Sequence, residues 1–270
     1  MNQRFARIEI AEGERVFVEL TGGEARILSG PPWGGGVLSG QVIAGVDEDG
    51  VGSGRRIAPV LPSKIVCVGR NYRAHARELG NEIPVEPLLF FKPPSSILDP
   101  GGAIVLPPPD IARRIDHEAE LGIVIGKRIR EATRAEARAA IFGGTIAGDI
   151  TARDLQKKDG QWTRAKGMDT FCPVGPVVVT GLDVAALTIE CRVNGGLRQR
   201  GSTGDMIFSV PELIAFISQG MTLEPGDLLL TGTPSGVGPL ENGDTLEMAI
   251  SGIGLLTLHV TASTVRTRFA

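Results

Sequence analysis

The chain has 270 residues and a formal net charge of −3, so it can bury a large core and lacks the basic surface of a nucleic-acid-binding protein. No apolar run approaches membrane-spanning length, and residues 1–7 lack the apolar segment of a secretion signal, so no membrane partner is predicted. Three widely spaced cysteines predict reduced, buried thiols and a cytoplasmic location. Abundant glycine (37) and proline (18) between short apolar runs predict many turns and a β-rich protein.

Residues 1–60 are predicted to form a small N-terminal β domain. Arg7–Ile10 and Arg15–Leu20 alternate polar and apolar residues as half-buried strands do. Pro59–Pro62 then predicts a short, stiff connector to a second domain, residues 61–270. Nothing in the first unit indicates chemistry, so we expect it to act as a cap or a dimerisation module.

Helices in the second domain are predicted to be few and short. Ile65–Gly69 reads as a buried strand that leads into a helix over 70–80, with Asn71 as its N-cap and Gly80 as its stop. Two capping boxes predict further helices, because a serine or threonine precedes a glutamate by three residues in each. These helices run from Thr133, with Glu136, to Phe142 and from Ser209, with Glu212, to Gly220.

The last third of the chain is predicted to be mostly strands. Leu228–Thr231 is an apolar run, and Asn242–Gly243 is a typical hairpin turn. Thr245–Ile250 and Leu255–Val260 alternate as strands. The predicted fold class is therefore mainly β with short helices (α+β), and not an alternating βαβ sheet.

Three carboxylates are the strongest candidates for chemistry. Ile115–Ile125 reads as one strand, in which Glu118 and Glu120 would share a face. Asp149 ends the apolar run Gly143–Gly148, where a strand end would bring it to the same point. Three oxygen ligands without cysteine or clustered histidine favour a hard cation, Mg²⁺ or Mn²⁺. The alternative is an edge strand with a solvated acidic face, and Glu-x-Glu alone does not exclude it.

His75 and Glu78 are three residues apart, so on a helix they share a face and can form a hydrogen bond. A carboxylate that orients an imidazole makes it a better general base near neutral pH. The alternative is an ordinary surface pair on a helix, with a stabilising effect of a few tenths of a kcal/mol.

Gly232–Gly238 is a glycine-rich loop after a strand, but it lacks the Gly-Lys-Ser/Thr ending of a phosphate loop. It is either a plain turn or a tight loop whose backbone N–H groups approach a small anion. Lys92 and Lys166 lie in turn-like or apolar surroundings and could neutralise a substrate carboxylate or a developing enolate. The alternative is that both lysines are simply solvated.

These segments together resemble the fumarylacetoacetate hydrolase family over roughly residues 64–260. Six motifs occur in the same order, which favours the metal site over the acidic edge strand. The motifs are Gly69–Tyr72 with His75 and Glu78, Phe91–Pro93, His117–Glu120, Gly148–Asp154, Lys166–Pro176 and Gly232–Gly238.

The resemblance implies a mixed β-sandwich roll, usually dimeric, that holds Mg²⁺ (or Mn²⁺) with Glu118, Glu120 and Asp149. It implies a lid helix with the His75–Glu78 dyad and makes Lys166 an active-site cation. By the same resemblance, substrate or water is contacted at five positions: Arg70, Tyr72, Lys92, Gln156 and Thr233.

The region 70–72 lacks the early carboxylate of the longer family members, so the chain resembles the shorter, bacterial-type branch. That branch includes acylpyruvate hydrolases, oxaloacetate decarboxylases and isomerases of dienoic diacids. The expected activity is metal-dependent cleavage of an acylpyruvate through an enolate of the 2-oxo acid. Decarboxylation or isomerisation through the same enolate is the first alternative, and a non-catalytic module that binds small acids is the second.

Overall fold

The computed structural model describes residues 2–10, 13–43, 54–78, 80 and 82–264. Within these residues the strands are β1 (Arg4–Glu9), β2 (Arg15–Thr21), β3 (Glu24–Leu28), β4 (Leu38–Ile43), β5 (Arg55–Ile57), β6 (Ile65–Gly69), β7 (Leu88–Lys92), β8 (Ile97–Leu98), β9 (Ala103–Leu106), β10 (Ile115–His117), β11 (Ala119–Ile125), β12 (Ile141–Gly148), β13 (Thr151–Ala152), β14 (Cys172–Val179), β15 (Thr188–Val193), β16 (Gly196–Ser202), β17 (Leu228–Leu230), β18 (Gly238–Pro239), β19 (Thr245–Ile250) and β20 (Gly254–Ala262). The α-helices are α1 (Arg73–Glu78), α2 (Arg134–Ala139), α3 (Arg153–Asp159), α4 (Thr163–Lys166) and α5 (Val210–Gly220). The predicted class, mainly β with short helices, is confirmed.

The largest sheet has the order β4-β3-β2-β1-β14-β12-β11-β17-β6-β7. Its N-terminal strands join the rest through β1 and β14, where Arg4 lies opposite Val179 and Phe5 opposite Val178. Every residue of β11 is buried, as expected for a strand that is covered on both faces. The proposed domain boundary at residue 60 stays a prediction.

A second sheet, in the order β16-β15-β19-β20-β9, packs on the first through contacts of β15 with β11 and of β20 with β14. Leu121 and Ile146 of the first sheet share one apolar cluster with Ile189 and Met248 of the second. This core between two layers is the β-sandwich that the resemblance implied. A small third sheet, in the order β13-β10-β18, lies beside the break between β10 and β11.

The prediction of one continuous strand over Ile115–Ile125 is wrong. The chain leaves the small sheet after β10 and enters the large sheet at β11, with Glu118 between them. The backbone at Glu118 pairs across the break, since its carbonyl accepts a hydrogen bond from the N–H of Asp149 at 2.9 Å. Glu118 and Glu120 therefore meet at a change of sheet and not through simple alternation along one strand.

Two of the three predicted helices differ from the prediction in their bounds. α1 is shorter than 70–80, and Asn71 does not cap it, because the Asn71 amide bonds to Phe208 and to the carbonyl of Thr231. The Thr133 capping box does open α2, but α2 ends at Ala139 because β12 already begins at Ile141. The third helix, α5, has the predicted bounds and capping box.

The predicted hairpin at Asn242–Gly243 is also wrong. A turn exists there, with Gly243 at a φ of 94°, but the preceding β18 pairs with β10 and not with β19. The hairpin partner of β19 is β20. Among the described residues no helix is long and apolar enough to cross a membrane.

Candidate active site

The three predicted metal ligands converge at the junction of β10, β11 and β12. Ala119 lies opposite Gly148 in the antiparallel ladder, so Asp149, just past β12, reaches Glu118 just before β11. Glu118, Glu120 and Asp149 each offer a carboxylate oxygen, and these atoms lie within 4.8 Å of one another. All three side chains are buried, at 4, 3 and 1% exposure. The solvated acidic face considered as an alternative is therefore excluded.

Lys166, at the end of α4, lies against two of these acids. Its Nζ donates hydrogen bonds to Glu118 Oε2 (3.1 Å), to Thr151 Oγ1 (2.9 Å) and to Asp149. The ammonium is buried, which would lower its pKa, but Asp149 and Glu118 shift the pKa of Lys166 upward overall. Lys166 is thus a protonated cation beside the triad, while the catalytic role that the resemblance implied for it stays a prediction.

Two further cations bond to the same acids. Lys92 lies behind Asp149, and Arg153 is part of the cavity lining. Lys92 is 1% exposed and donates to Asp149 Oδ1 at 2.7 Å. Arg153 donates to Glu118 Oε1 at 2.5 Å. Burial would raise the pKa of Glu118, but Lys166 and Arg153 together hold it well below its ordinary value, so this ligand is ionised.

Glu120 differs from the other two ligands. Its described hydrogen bond comes from the backbone N–H of Gly232 at 2.7 Å, and no lysine or arginine of the described residues forms an ion pair with it. Burial and the nearby Asp149 and Glu118 raise the pKa of Glu120 well above its ordinary value. Within the described part of the chain, the Glu120 carboxylate is therefore the one of the three that no cation contacts directly.

A divalent cation fits this arrangement. The donor set consists of three carboxylates without sulfur or imidazole, which suits the hard ions Mg²⁺ and Mn²⁺. An ion beside Glu120 would supply the partner charge that no lysine or arginine of the described residues provides through an ion pair with this carboxylate. The surrounding residues leave room for further oxygen ligands, because a cavity of about 440 Å³ opens onto the triad.

Most of the predicted substrate contacts line this cavity, which is bordered by α1, α3, α4 and the loop after β17. Tyr72 and Lys92 do not line it: Tyr72 is 2% exposed, and the Lys92 ammonium lies behind Asp149. The substrate contacts proposed for these two residues stay predictions. The lining consists of Val68, Gly69, Arg70, His75, Glu118, Glu120, Asp149, Arg153, Gln156, Lys157, Trp162, Lys166 and Thr233.

The predicted dyad forms on α1. His75 is buried and lines the cavity, and its Nδ1 lies 3.4 Å from Glu78 Oε2. The Glu78 carboxylate also accepts the N–H of Gly236, at 2.9 Å to Oε1 and 3.2 Å to Oε2. Glu78 therefore orients His75 and fastens α1 to the glycine-rich loop at the same time.

The glycine-rich loop does bring backbone N–H groups to anions, but these anions are side chains of the protein. Gly232 donates to Glu120 and Gly236 donates to Glu78. Gly236 has a φ of 100°, and a Cβ there would lie 2.0 Å from the carbonyl oxygen of Arg198. Only glycine fits at this position, so the loop is shaped to position Glu120 and the His75–Glu78 dyad.

Arg153 is a site residue that the sequence did not single out. Its guanidinium joins Glu118 to Asp116 (2.9 Å) and to Gln156 Oε1 (3.0 Å). The sequence feature that could have identified Arg153 is its position at the start of α3, four residues after Asp149 and three before Gln156. Arg153 therefore orients both Glu118 of the carboxylate triad and Gln156 of the cavity wall.

Gln199 of β16 is a second residue that was missed, because its partners are remote in sequence: His117 lies 82 positions away, Ala119 80 and Thr233 34. Its Oε1 accepts from the N–H of Ala119 (3.0 Å) and faces His117 Nδ1 (3.1 Å). Its Nε2 donates to Thr233 Oγ1 (2.7 Å) and to the carbonyl of Pro234 (2.8 Å). The Gln199 side chain is fully buried. Its hydrogen bonds connect the backbone between β10 and β11, where the chain changes sheets, to the glycine-rich loop.

Comparison with known proteins agrees with this geometry. The family model "Fumarylacetoacetate (FAA) hydrolase C-terminal" matches residues 64–261. The chain is 47% identical over 217 residues to oxaloacetate tautomerase YisK of Bacillus subtilis, covering 75% of this chain and 72% of that one. It is 49% identical over 197 residues to the mitochondrial oxaloacetate decarboxylase of Dictyostelium discoideum, covering 70% and 89%.

A solved structure resembles the fold along nearly its whole length. The 2-hydroxyhepta-2,4-diene-1,7-dioate isomerase of Mycobacterium marinum superposes with a TM-score of 0.86 at 42% identity, covering 97% of this chain and 100% of that one. The expectation of an enzyme is thereby confirmed, and the alternative of a non-catalytic module is set aside. The chain belongs to the fumarylacetoacetate hydrolase family.

Proposed function

We propose that the chain is a divalent-metal-dependent enzyme that enolises small 2-oxo diacids, with keto–enol tautomerisation of oxaloacetate as its reaction. The observation that carries the proposal is a histidine and several cations around a buried carboxylate triad in one cavity. The relatives named as oxaloacetate tautomerase and decarboxylase support this substrate class.

Enolisation of a 2-oxo acid removes a proton from C3 and leaves negative charge on the 2-oxo oxygen. His75 is the group that can move this proton, since it lines the cavity and its Nδ1 faces Glu78, which leaves Nε2 for the substrate. In tautomerisation the proton passes from C3 to His75 and then to the 2-oxo oxygen. No attacking water takes part.

The triad would hold Mg²⁺ or Mn²⁺, which supplies Lewis acidity toward the developing negative charge when it is bound. The protein's own cations serve the rest of the substrate. Arg70 and Lys157 line the cavity and lack a described ion pair, so either can bind the second carboxylate of a diacid. Lys166 lies beside the triad and balances charge there.

Decarboxylation of oxaloacetate follows from the same residues. When the C3–C4 bond breaks, its electron pair passes into the enolate of pyruvate and CO₂ leaves. His75 can then take a proton from water and donate it to C3. Hydrolysis of an acylpyruvate is the second candidate, because the Glu78-oriented imidazole could instead activate a water molecule. The fumarylacetoacetate hydrolase of Exiguobacterium antarcticum, 35% identical to this chain, supports this second candidate.

The test is an assay of purified protein with oxaloacetate and with acetylpyruvate, with and without Mg²⁺ or Mn²⁺. Enol absorbance follows tautomerisation, and coupled pyruvate detection follows decarboxylation or hydrolysis. We expect metal-dependent interconversion of the oxaloacetate tautomers as the fastest reaction. Faster cleavage of acetylpyruvate would instead make the hydrolase the main activity.

His75→Ala is expected to lower kcat for tautomerisation about 100-fold or more with little change in KM, because it removes proton transfer and leaves binding intact. Lys158→Ala, at an exposed position of α3 outside the cavity lining, is the control and should keep full activity. Wild-type rates in the His75 variant would remove the role proposed for the dyad.

We further propose a homodimer in the cytoplasm. The dimer rests on the family resemblance alone. The location is supported by Cys67, Cys172 and Cys191, which are all buried free thiols. Burial raises the pKa of Cys172 and of Cys191 to about 12, so neither is a reactive thiolate at neutral pH.

A further inference from the structure

A second cavity, of about 350 Å³, lies beside α1 and shares this helix with the active site. His75 of α1 lines the active-site cavity, whereas Arg73 and Arg77 of α1 line the second one. The other walls come from the segment around β16 and from the glycine-rich loop, with Arg200 and Ser235. One short helix therefore connects the two cavities.

The second cavity is positively charged. Arg73, Arg77 and Arg200 line it, against the single carboxylate of Asp205. Among the described residues no ion pair neutralises Arg73 or Arg77, and Arg200 has only an exposed contact with Glu190 at 3.5 Å. Asp205 is itself engaged by the backbone N–H of Ser202 at 3.4 Å. Such an excess of guanidinium groups around a hollow favours an anionic ligand.

Tyr72 gives a second, independent indication. This residue lines the cavity and is 2% exposed, and its hydroxyl is buried without a hydrogen-bond partner among the described residues. Burial, with Glu120 and Asp205 nearby, raises the pKa of Tyr72, so the hydroxyl keeps its proton and can donate it. A buried donor without an acceptor is unfavourable, and a ligand oxygen would satisfy it.

We propose that this cavity binds a phosphate-type dianion, either free phosphate or the phosphate group of a small metabolite. Three guanidinium groups and one hydroxyl offer more donors than the two oxygens of a carboxylate can accept. A tetrahedral oxyanion presents oxygens in several directions and can contact donors from α1, from β16 and from Tyr72 together.

Such a ligand would stabilise the position of α1. At present Glu78 joins α1 to the loop through the N–H of Gly236. A dianion between Arg73 or Arg77 and Arg200 would add a second link between α1 and the body of the protein, and so hold His75 in the active-site cavity. This consequence for catalysis rests on the proposed function, whereas binding of the anion does not.

Binding is tested by calorimetric titration of inorganic phosphate, and in parallel of glycerol 3-phosphate, into the full chain without added metal at fixed ionic strength. We expect saturable binding that weakens at least tenfold in Arg200→Ala and in the Arg73→Ala/Arg77→Ala double variant. Tyr72→Phe should also weaken it. Arg198→Ala, on the same strand but lining another cavity, is the matched control and should bind like wild type.

The tighter of the two probes identifies the source of the phosphate group. Because these arginines are exposed, the variants should keep the wild-type unfolding midpoint, which checks their folding. Absence of binding, or equal binding in all variants, overturns the proposal. Loss of binding in Arg70→Ala but not in Arg200→Ala also overturns it, because phosphate would then occupy the substrate cavity.

The catalytic consequence is tested by measuring oxaloacetate turnover with and without the better probe. We expect kcat to rise about fivefold in wild type, because His75 is held in position for proton transfer, and to stay constant in Arg200→Ala. An unchanged kcat in wild type, despite binding, overturns the link through α1. If the protein turns over no 2-oxo acid at all, the proposed function fails and the binding result is unaffected.

Discussion

Two buried carboxylates in this molecule, Asp227 and Glu120, have opposite surroundings. Asp227 is 1% exposed and accepts hydrogen bonds from Ser63 Oγ (2.6 Å), from the backbone N–H of Lys64 (3.2 Å) and Glu224 (2.8 Å), and from the Lys64 ammonium. Glu120 is 3% exposed, yet it accepts one backbone N–H, from Gly232, and lies next to two other acids.

The difference separates a structural charge from a functional one. A buried carboxylate whose oxygens all accept hydrogen bonds from the protein stabilises the fold. Asp227 in this way joins the segment before β6 to the turn before β17. A buried carboxylate without a cation is unfavourable unless a ligand completes it. The two sites should therefore respond in opposite ways when their charge is removed.

Glu120→Gln is expected to have the largest effect on activity. The amide keeps the shape of the side chain but removes a charged metal ligand, so we expect kcat/KM to fall by about 1000-fold, or about 4 kcal/mol of transition-state stabilisation. Stabilisation by Mg²⁺ in thermal unfolding should disappear together with activity. Without metal the variant should be at least as stable as wild type, because a penalised buried charge has been removed.

Glu118→Ala gives a second reading of the same site. It should also abolish turnover and Mg²⁺ stabilisation, but it leaves Lys166 and Arg153 without their shared partner and should be less stable without metal. Activity retained in either variant would exclude the triad as the catalytic metal site.

Asp227→Asn is expected to show the opposite behaviour. It leaves the Lys64 ammonium without its anion, so we expect a loss of about 3 kcal/mol in the free energy of unfolding. Denaturant titration should show this loss equally with and without Mg²⁺, while kcat and KM stay near wild type at a temperature where the variant is folded. A loss that Mg²⁺ reverses would contradict the assignment of Asp227 as structural.

Gln199→Leu tests whether support of the metal ligands from outside the cavity matters. The variant leaves the N–H of Ala119 and the hydroxyl of Thr233 without this partner, so Glu118 and the glycine-rich loop should shift. We expect Mg²⁺ affinity and kcat/KM each to fall about 10- to 100-fold. Calorimetric titration of Mg²⁺ measures the first and steady-state kinetics the second.

Gln199→Glu is the matched variant, since it keeps two acceptor oxygens for Ala119 and His117 but loses the donor to Thr233 and Pro234. An intermediate loss of Mg²⁺ affinity and kcat/KM in Gln199→Glu would separate the contribution of the Oε1 contacts from that of the Nε2 contacts. Unchanged metal affinity in Gln199→Leu would show that the amide only stabilises the fold.

The smallest predicted effect concerns pH. The folded-state pKa of Glu120 is raised in the metal-free protein, so its contribution to stability is present below the ordinary value of 4.5 and is lost as pH rises through the raised value. A bound divalent ion needs the ionised form. Mg²⁺ stabilisation should therefore grow with pH across this window, by at most about 1.4 kcal/mol per pH unit for one proton.

Thermal unfolding at several pH values, with and without Mg²⁺, measures this slope. Glu120→Gln is the control, because it cannot release the proton. A constant Mg²⁺ effect across the window in wild type would mean that Glu120 is already ionised in the metal-free protein.

The sequence sufficed to find the acids but not the way in which they meet. Glu118, Glu120 and Asp149 could be predicted because short-range spacing and the end of an apolar run were visible. The change of sheet at Glu118 could not, because it depends on pairing of β10 with β13 and β18, which are remote in sequence.

The same limit applies to the supporting residues. Arg153 could have been found from its closeness in sequence to Asp149 and Gln156. Gln199 could not, because its contacts form only when β16 packs beside the point where the chain changes sheets. The predicted helix bounds were wrong where tertiary contacts competed with local signals. Asn71 is a residue type that often caps helices, but its side-chain amide donates to the carbonyls of Phe208 and Thr231 instead.

The most direct test of the central claim is anomalous scattering from crystals grown with Mn²⁺. We expect one strong anomalous peak with carboxylate oxygens of Glu118, Glu120 and Asp149 at about 2.2 Å, the ordinary range for a hard divalent ion. A peak elsewhere, or a triad that still bonds only to Lys166, Lys92 and Arg153 with no ion among its oxygens, would contradict the account.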